Sequence, residues 1–178
     1  IEGDSELSEI ASRAMEADYG KSQVKLSNHD ALSLLERGTK QLLLGEFSPA
    51  MESVELAIKE DPNLGPAWTL KARLVSAEGG NAKSAIKCIK RANALGEYTV
   101  ILESEILENR ERIDAAIEVL QEHLSKTPGD AEARARLCQL WLSKGAIESS
   151  RKTLEEAPEE SWDSTAMQVM KGRLSLVK

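Results

Sequence analysis

Apolar residues recur along this chain at intervals of three and four residues, the spacing that places them on one face of an α-helix. One such group precedes a turn at Gly45, and a second group follows the turn. Their members are Leu34, Leu35, Leu42 and Leu43 before it, and Val54, Ala57 and Ile58 after it. Pro62 ends the second group, because proline cannot continue a helix and biases the residue before it away from helix. The pattern therefore predicts two helices joined by a short turn.

The same arrangement recurs three more times along the sequence. The further turns lie at Gly80, at Glu111 and at Lys144-Gly145, and Pro128 ends a later pair as Pro62 ends the first. A small residue follows each turn at a similar offset; these residues are Ala50, Ala85, Ala116 and Ser150, which are 35, 31 and 34 residues apart. A period of this length built from helix pairs is typical of a solenoid, in which each pair buries its apolar face by stacking on its neighbours.

These repeats resemble the tetratricopeptide repeat family, which places a small residue where its two helices cross and a proline at the end. The first repeat, residues 31–64, carries Gly38 at the crossing position, and the others span 65–96, 97–130 and 131–160. The resemblance also rests on Trp68, Ala72, Ile89, Ala92, Ser104, Trp141, Leu154, Ala157 and the crossing residue Cys138. The second repeat has one extra residue before its turn and lacks the closing proline, and His123 replaces an alanine in the third. About 130 of the 178 residues are covered.

The resemblance implies an all-α fold: a right-handed superhelical solenoid of antiparallel helix pairs, with about four repeats and flanking helices at both ends. It implies a concave face lined by the first helix of each pair. It also implies a non-catalytic module that binds a peptide or helix of a partner protein there, as a scaffold or as an assembly or chaperone adaptor. The alternative is a self-association module whose terminal helices drive assembly of a homo-oligomer.

Two flanks lie outside the repeats. Residues 1–30 predict an amphipathic helix over residues 4–18 and a polar linker over 20–28; the apolar side of that helix carries Leu7, Ile10, Ala11, Ala14 and Met15. Residues 161–178 predict a C-terminal helix with apolar residues at helical spacing. It is either a cap, which terminal repeats need, or the first helix of a truncated fifth repeat.

Composition narrows the class of protein. Hydrophobic residues make up 41% of the chain and aromatic residues only 3%, with leucine and alanine dominant, which favours helices over a sheet sandwich. The net charge of −7 argues against nucleic-acid binding, and no apolar run approaches the ~20 residues that cross a bilayer. Two cysteines without a CxxC motif favour a reducing compartment, the cytoplasm over the periplasm. The first residue, Ile1, suggests a fragment or a processed product.

Candidate chemistry is sparse, and we expect no catalysis, cofactor or metal. We interpret His29 as a capping residue and His123 as a packing residue. Cys138 sits at a helix crossing and predicts a buried thiol, whereas Cys88 is expected to be partly exposed. Gly79-Gly80 lacks the Lys-Ser or Lys-Thr of a phosphate-binding loop. The isolated cations Arg134 and Arg136 are interpreted as part of a solvated face.

The register of the resemblance predicts which residues line the concave face. They are Leu35, Thr39 and Leu42 in the first repeat, Thr69, Arg73 and Ser76 in the second, Ile101, Glu105 and Glu108 in the third, and Ala135, Gln139 and Leu142 in the fourth. The face is expected to be apolar at its ends and polar in the middle. The carboxylates of the third repeat are either ordinary solvated surface or a negative patch that favours a basic partner segment.

Two narrower resemblances bear on the partner. One subgroup of the family clamps the acidic tails of heat-shock chaperones with lysine, asparagine and arginine. The corresponding positions here carry Leu35, Thr39, Tyr98 and Leu102, so the clamp is missing. Residues 131–176 also resemble the helical tail of bacterial thioredoxin-fold co-chaperones, although no thioredoxin cysteines are present in the chain.

Overall fold

The computed structural model of the chain describes residues 30–177, and within this range every regular element is helical. The first helix, α1, covers residues 30–43 of the described part. It is followed by α2 (Phe47–Glu60), α3 (Gly65–Ala77), α4 (Ala82–Ala94), α5 (Val100–Glu108), α6 (Ile113–Lys126), α7 (Ala131–Ser143), α8 (Ile147–Glu155), a 3₁₀ turn (Glu159–Asp163) and α9 (Thr165–Ser175). The predicted N-terminal helix over residues 4–18, the linker over 20–28 and His29 lie outside the described residues.

Consecutive helices pack as hairpins, and the hairpins stack in chain order. The odd-numbered helices form one layer, in which α5 contacts α7 and α7 contacts α9, while the even-numbered helices from α2 to α8 form the other. Each cluster of buried side chains joins one hairpin to its neighbour: Leu102 and Ile106 of α5, for example, pack on Ala72 of α3 and Ile89 of α4. A continuous core therefore runs along the stack, as expected when no pair can bury its apolar face alone.

Close helix crossings depend on small residues. A β-carbon added to Gly38 would lie 2.9 Å from Cγ2 of Val54 and 3.3 Å from the carbonyl oxygen of Ala50, so α1 and α2 meet where a side chain would collide. Ala72, Ser104 and Cys138 occupy the same place in the later hairpins and are all buried. Ser104 and Cys138 are larger than glycine, so those crossings are correspondingly less tight.

Each hairpin turn holds one residue in the left-handed backbone region. Gly45, Gly79 and Gly145 have φ of 78°, 75° and 74°, and Glu111 has φ of 59° in the third hairpin. In every hairpin this residue follows the crossing residue by seven positions. The sequence interpretation placed the second turn at Gly80; the structure corrects this to Gly79, so the extra residue of that repeat follows the turn rather than preceding it. Glu111 takes a conformation that costs a non-glycine residue about 1 kcal/mol.

The start of α5 departs from the repeat. α7 begins seven residues before its crossing residue, Cys138, but α5 begins at Val100, four residues before Ser104. The chain has three residues fewer between Ala85 and Ser104 than between the corresponding positions of the next repeat. Since the spacing from crossing to turn is constant, the deficit falls on the first turn of α5, and residues 97–99 are not helical.

The C-terminal helix α9 packs against α7 and α8 through Met167, Met170 and Leu174, which are buried. It lies in the layer of odd-numbered helices, beside α7, as α7 lies beside α5. Both interpretations of residues 161–178, a cap and the first helix of a truncated fifth repeat, predict a helix beside α7. The preceding 3₁₀ turn is tied to the fourth hairpin, because the hydroxyl of Ser161 donates to the carbonyl oxygen of Gly129 at 3.2 Å.

Candidate functional site

A cleft of about 300 Å³ crosses three helices of the odd-numbered layer, α5, α7 and α9. Its apolar lining, which we call the floor, consists of Ile101, Ala135, Ala166, Val169 and Met170. The remaining lining residues, which we call its polar edges, are Glu132, Arg136, Gln139, Thr165 and Arg173. On α7, Glu132, Ala135 and Gln139 are three and four residues apart, so they share one side of the helix. This side of the layer bears the cleft, and we call it the groove face.

The residues predicted to line the groove fall into three rows on this face. Counted from the crossing residue, the first row lies three positions before it, the second one position after it and the third four positions after it. The rows are Leu35, Thr69, Ile101 and Ala135; Thr39, Arg73, Glu105 and Gln139; and Leu42, Ser76, Glu108 and Leu142. Of the predicted residues, the cleft brings together Ile101, Ala135 and Gln139.

The other predicted residues divide by their surroundings. Leu35 and Leu42 are half-buried against the core of the first two hairpins, and Leu142 packs on the core beside α9. The hydroxyls of Thr39 and Thr69 donate to carbonyl oxygens four residues earlier on their own helices, at 2.8 and 3.4 Å. Arg73 is exposed, and Ser76 and Glu105 are half-buried; none of these three has an ion pair among residues 30–177.

Arg136 is a groove residue that the sequence interpretation missed. Instead of a solvated cation, it is a largely buried side chain that forms an ion pair with Glu108 and donates from Nε to the hydroxyl of Ser104 at 3.2 Å. The prediction was wrong because the partners come from a helix 28 to 32 residues away. Glu108 is therefore not a free negative charge, and of the two carboxylates predicted for the groove of the third repeat, Glu105 is the one without a partner among the described residues.

Arg134 was also predicted to be solvated, and this prediction is wrong too. The side chain is only 5% exposed. Its guanidinium donates to the carbonyl oxygens of Thr153 at 3.0 Å and Pro128 at 2.9 Å, and its Nε has no partner within the described protein. The guanidinium thus ties the start of α7 to the end of α8.

A second cavity, of about 320 Å³, opens where α5 lacks its first turn; its lining includes Tyr98, Glu103 and His123. Beside it, the Tyr98 hydroxyl donates to Oδ2 of Asp130 at 2.8 Å, and Nε2 of His123 lies 2.7 Å from the same oxygen. Burial alone would raise the pKa of Asp130, but hydrogen bonds from the backbone N–H of Ala133, from His123 and from Tyr98 together lower it. Burial raises the pKa of Glu103, and burial with the bond to Asp130 raises that of Tyr98.

Neither thiol has the environment of a nucleophile. Cys88, expected to be partly exposed, is buried, and burial raises its pKa. Cys138 is fully buried, as predicted; burial raises its pKa to about 11, and its thiol donates to the carbonyl oxygen of Ser150 at 3.5 Å. His123 bonds to Asp130 and Thr127 rather than to a cysteine. Within residues 30–177, no three His, Cys, Asp or Glu side chains cluster as metal ligands would, and no helix there is long and apolar enough to cross a membrane.

Comparison with known proteins identifies the repeats. Residues 110–174 match the model of the tetratricopeptide repeat family. Residues 110–174 therefore carry tetratricopeptide repeats. This match agrees with the predicted family, and the predicted all-α solenoid is confirmed; repeats of this family generally serve as protein-interaction scaffolds. No curated protein sequence matches the chain closely enough to name a nearer relative.

Solved tetratricopeptide repeat structures share the fold. TTC0263, a protein of the thermophile Thermus thermophilus, superposes with a TM-score of 0.63 at 18% identity, over 88% of this chain and 87% of its own. YrrB, described as having an unusual peptide-binding site, gives 0.56 at 13% identity over 89% and 91%. A protein of Parabacteroides merdae gives 0.62 at 18% identity over 92% and 68%. At such identities the likeness concerns the fold. The resemblance of residues 131–176 to co-chaperone tails stays a prediction.

Proposed function

We propose that this protein binds a helix or an extended segment of a partner protein along its groove face. The observation that carries the proposal is the cleft across α5, α7 and α9, which offers an apolar floor between polar edges. Such a surface suits an apolar side chain of the partner, held in place by hydrogen bonds from its neighbours. The predicted groove residues extend this surface toward α1.

Contacts between successive hairpins support a preformed groove. Arg136 joins α7 to α5 through Glu108 and Ser104, and Tyr98 joins the start of α5 to Asp130 before α7. A surface that is already ordered loses less conformational entropy on binding than one that must fold around its ligand. The repeats thus act by shape and rigidity, without a chemical step.

The charge of the groove bears on the partner. A basic partner segment was one of two interpretations of the acidic residues. Its support now rests on Glu105, because Glu108 is neutralised by Arg136, and Arg136 and Arg173 line the same cleft. We therefore propose that the apolar floor dominates affinity and that Glu105 adds a local preference for a basic residue of the partner.

Peptides selected from a random display library against the full chain test this proposal. Val169 is 54% exposed and lines the cleft, and Leu176, just after the end of the same helix, is 85% exposed and lies outside the cleft. Val169→Glu should weaken the selected peptides at least tenfold, because it places a charge against an apolar side chain. Leu176→Glu, the matched control, should change affinity less than twofold. Equal losses, or failure to select any binder, would contradict the proposal.

The C-terminal helix gives the self-association alternative only limited support, because Val169 and Leu176 are its exposed large apolar residues. Its main apolar residues, Met167, Met170 and Leu174, are buried within the molecule, and Trp162 is half-buried. Size-exclusion chromatography with light scattering, run over a hundredfold range of concentration, separates the two functions. A monomer at every concentration excludes assembly as the function, whereas a concentration-dependent oligomer would favour it.

A further inference from the structure

The groove face of α1 leaves large apolar side chains uncovered. Leu32 is 52% exposed and Leu43 is 82% exposed. Leu32 precedes the crossing residue of its hairpin by six positions, as the cleft residue Glu132 does in the fourth hairpin, so it lies on the groove face. Leu43 follows Leu32 by eleven residues, about three helical turns, and shares its side of α1 with it. With Leu35, these residues form an apolar patch at the N-terminal end of the groove.

The side of α1 that would receive a preceding hairpin is polar. Two positions before and two after the crossing residue, where Leu102 and Ile106 of α5 pack on the preceding hairpin, α1 carries the exposed residues Glu36 and Lys40. A polar outer edge is what a terminal repeat needs to remain soluble without a further repeat stacked on it. The uncovered leucines therefore do not mark a place for another stacked hairpin or a stacked second copy. They mark a place for a ligand inside the groove.

The chain itself supplies a segment of matching chemistry. Residues 4–18 carry Leu7, Ile10, Ala11, Ala14 and Met15 at helical spacing, with five acidic residues and one basic residue among the rest. On the groove face next to the patch stands Arg73, exposed and without an ion pair among the described residues. It follows its crossing residue by one position, as the cleft residue Gln139 does. An acidic amphipathic helix thus meets leucines for its apolar side and a cation for its charged side.

The length of the intervening chain allows the contact. Residues 19–29 separate the segment from α1 and span up to roughly 35 Å when extended. The helical part of α1 is about 21 Å long, and a helix over residues 4–18 has about the same length. The segment can therefore fold back along α1. A tether of this length holds it at an effective concentration in the millimolar range, so a weak contact suffices.

We propose that residues 4–18 dock as a helix on Leu32, Leu35 and Leu43, with their acidic side toward Arg73, and so occupy the N-terminal end of the groove. On this account the chain carries its own competing ligand. A partner that reaches α1 must displace the segment, whereas one confined to the cleft at α5, α7 and α9 binds beside it. This regulatory consequence rests on the proposed function, but the docking itself does not.

Amide hydrogen exchange of the full chain tests the docking. A free helix of this length is marginal in water, so slow exchange in residues 4–18 reports the contact. We expect exchange at least tenfold slower than in a synthetic peptide of residues 1–19. The double variant Leu32→Glu, Leu43→Glu should abolish the difference. The control Leu56→Glu changes a leucine that is 43% exposed on α2, in the other layer, and should preserve it.

Each outcome bears on the proposal. Protection that is absent in the parent, or that persists unchanged in the double variant, overturns it. Protection that disappears on hundredfold dilution also overturns it, because the segment then belongs to a second copy. Arg73→Glu should reduce protection several-fold while Arg73→Lys preserves it, and amides of α5 to α9 should stay unchanged in all variants. Peptides that still depend on Val169 while protection is absent would refute the docking and leave the proposed function standing.

Discussion

The third and fourth helix pairs fill the same position at the start of their first helix with opposite chemistry. Four residues before the crossing, the fourth pair has Arg134, which is buried and donates to two carbonyl oxygens, and the third pair has Val100, which packs in the core. The start of α7 is capped by Asp130, whereas the start of α5 has no side-chain cap. At this position the fourth pair is held by hydrogen bonds, and the third pair is held by apolar packing.

The comparison shows that the third pair, in which α5 is shortened, depends on a residue at the start of the fourth. Tyr98 and His123 belong to the third pair, yet both bond to Asp130, the residue that caps the fourth. Asp130 therefore caps α7 and, through the hydroxyl of Tyr98, also fixes the non-helical segment before α5 to the start of α7.

The largest expected effect comes from removing the buried guanidinium of the fourth pair. Arg134→Ala deletes a side chain that is 5% exposed and leaves the carbonyl oxygens of Pro128 and Thr153 without their donor. The cavity and the lost bonds should together lower the free energy of unfolding by about 3 kcal/mol. Urea unfolding followed by circular dichroism measures it.

The matched control for this change is Arg151→Ala on α8. Arg151 is 43% exposed, and its only ion-pair partner in the described chain is an exposed glutamate at 3.9 Å. A surface pair of this kind contributes little, so the control should cost less than about 0.5 kcal/mol. Equal losses in both variants would show that the buried guanidinium is not what distinguishes the fourth pair.

The second expected effect concerns the residue shared by both pairs. Asp130→Asn keeps the shape but removes the charge that accepts bonds from Ala133, His123 and Tyr98. At pH 7 we expect a loss of about 1.5 kcal/mol in the free energy of unfolding. The pKa of Asp130 is lowered by folding, so the carboxylate stabilises the fold above its unfolded pKa and loses that contribution as the pH falls through its folded pKa.

The pH dependence separates charge from shape. The gap between parent and Asp130→Asn should shrink toward zero at acid pH, where the parent is protonated as well. Glu118→Gln, on an exposed position of α6, should show no comparable gap at either pH. A gap that stays constant from pH 7 to acid pH would mean that the amide disrupts the site by geometry and that the charge is irrelevant.

The sequence predicts the repeating part of this molecule better than its exceptions. Apolar periodicity and Pro62 locate the regular pairs because these signals are local. α5 starts late because the chain is three residues shorter between Ala85 and Ser104 than in the next repeat. The sequence alone does not say which helix end loses these residues. Arg134 and Arg136 were predicted to be surface residues because, apart from Pro128, their partners lie 19 to 32 residues away in sequence, and only the stack brings these groups together. The repeat register predicts which residues lie on the groove face, but it does not predict which of their charges are paired.

The smallest expected effect tests the turn of the third pair. Glu111 holds a left-handed backbone that the other hairpins assign to glycine. Glu111→Gly should therefore raise the free energy of unfolding by about 0.5 to 1 kcal/mol, the relieved strain being partly offset by the greater freedom of glycine in the unfolded chain. Gly145→Ala is the reciprocal change: no atom lies within 4 Å of the added carbon, so its cost of about 1 kcal/mol comes from the backbone alone. Thermal unfolding of Glu111→Gly and Gly145→Ala measures both changes in stability. Opposite signs would show that the third pair differs by a removable strain, and a loss in Glu111→Gly would show that its side chain compensates for the strained turn.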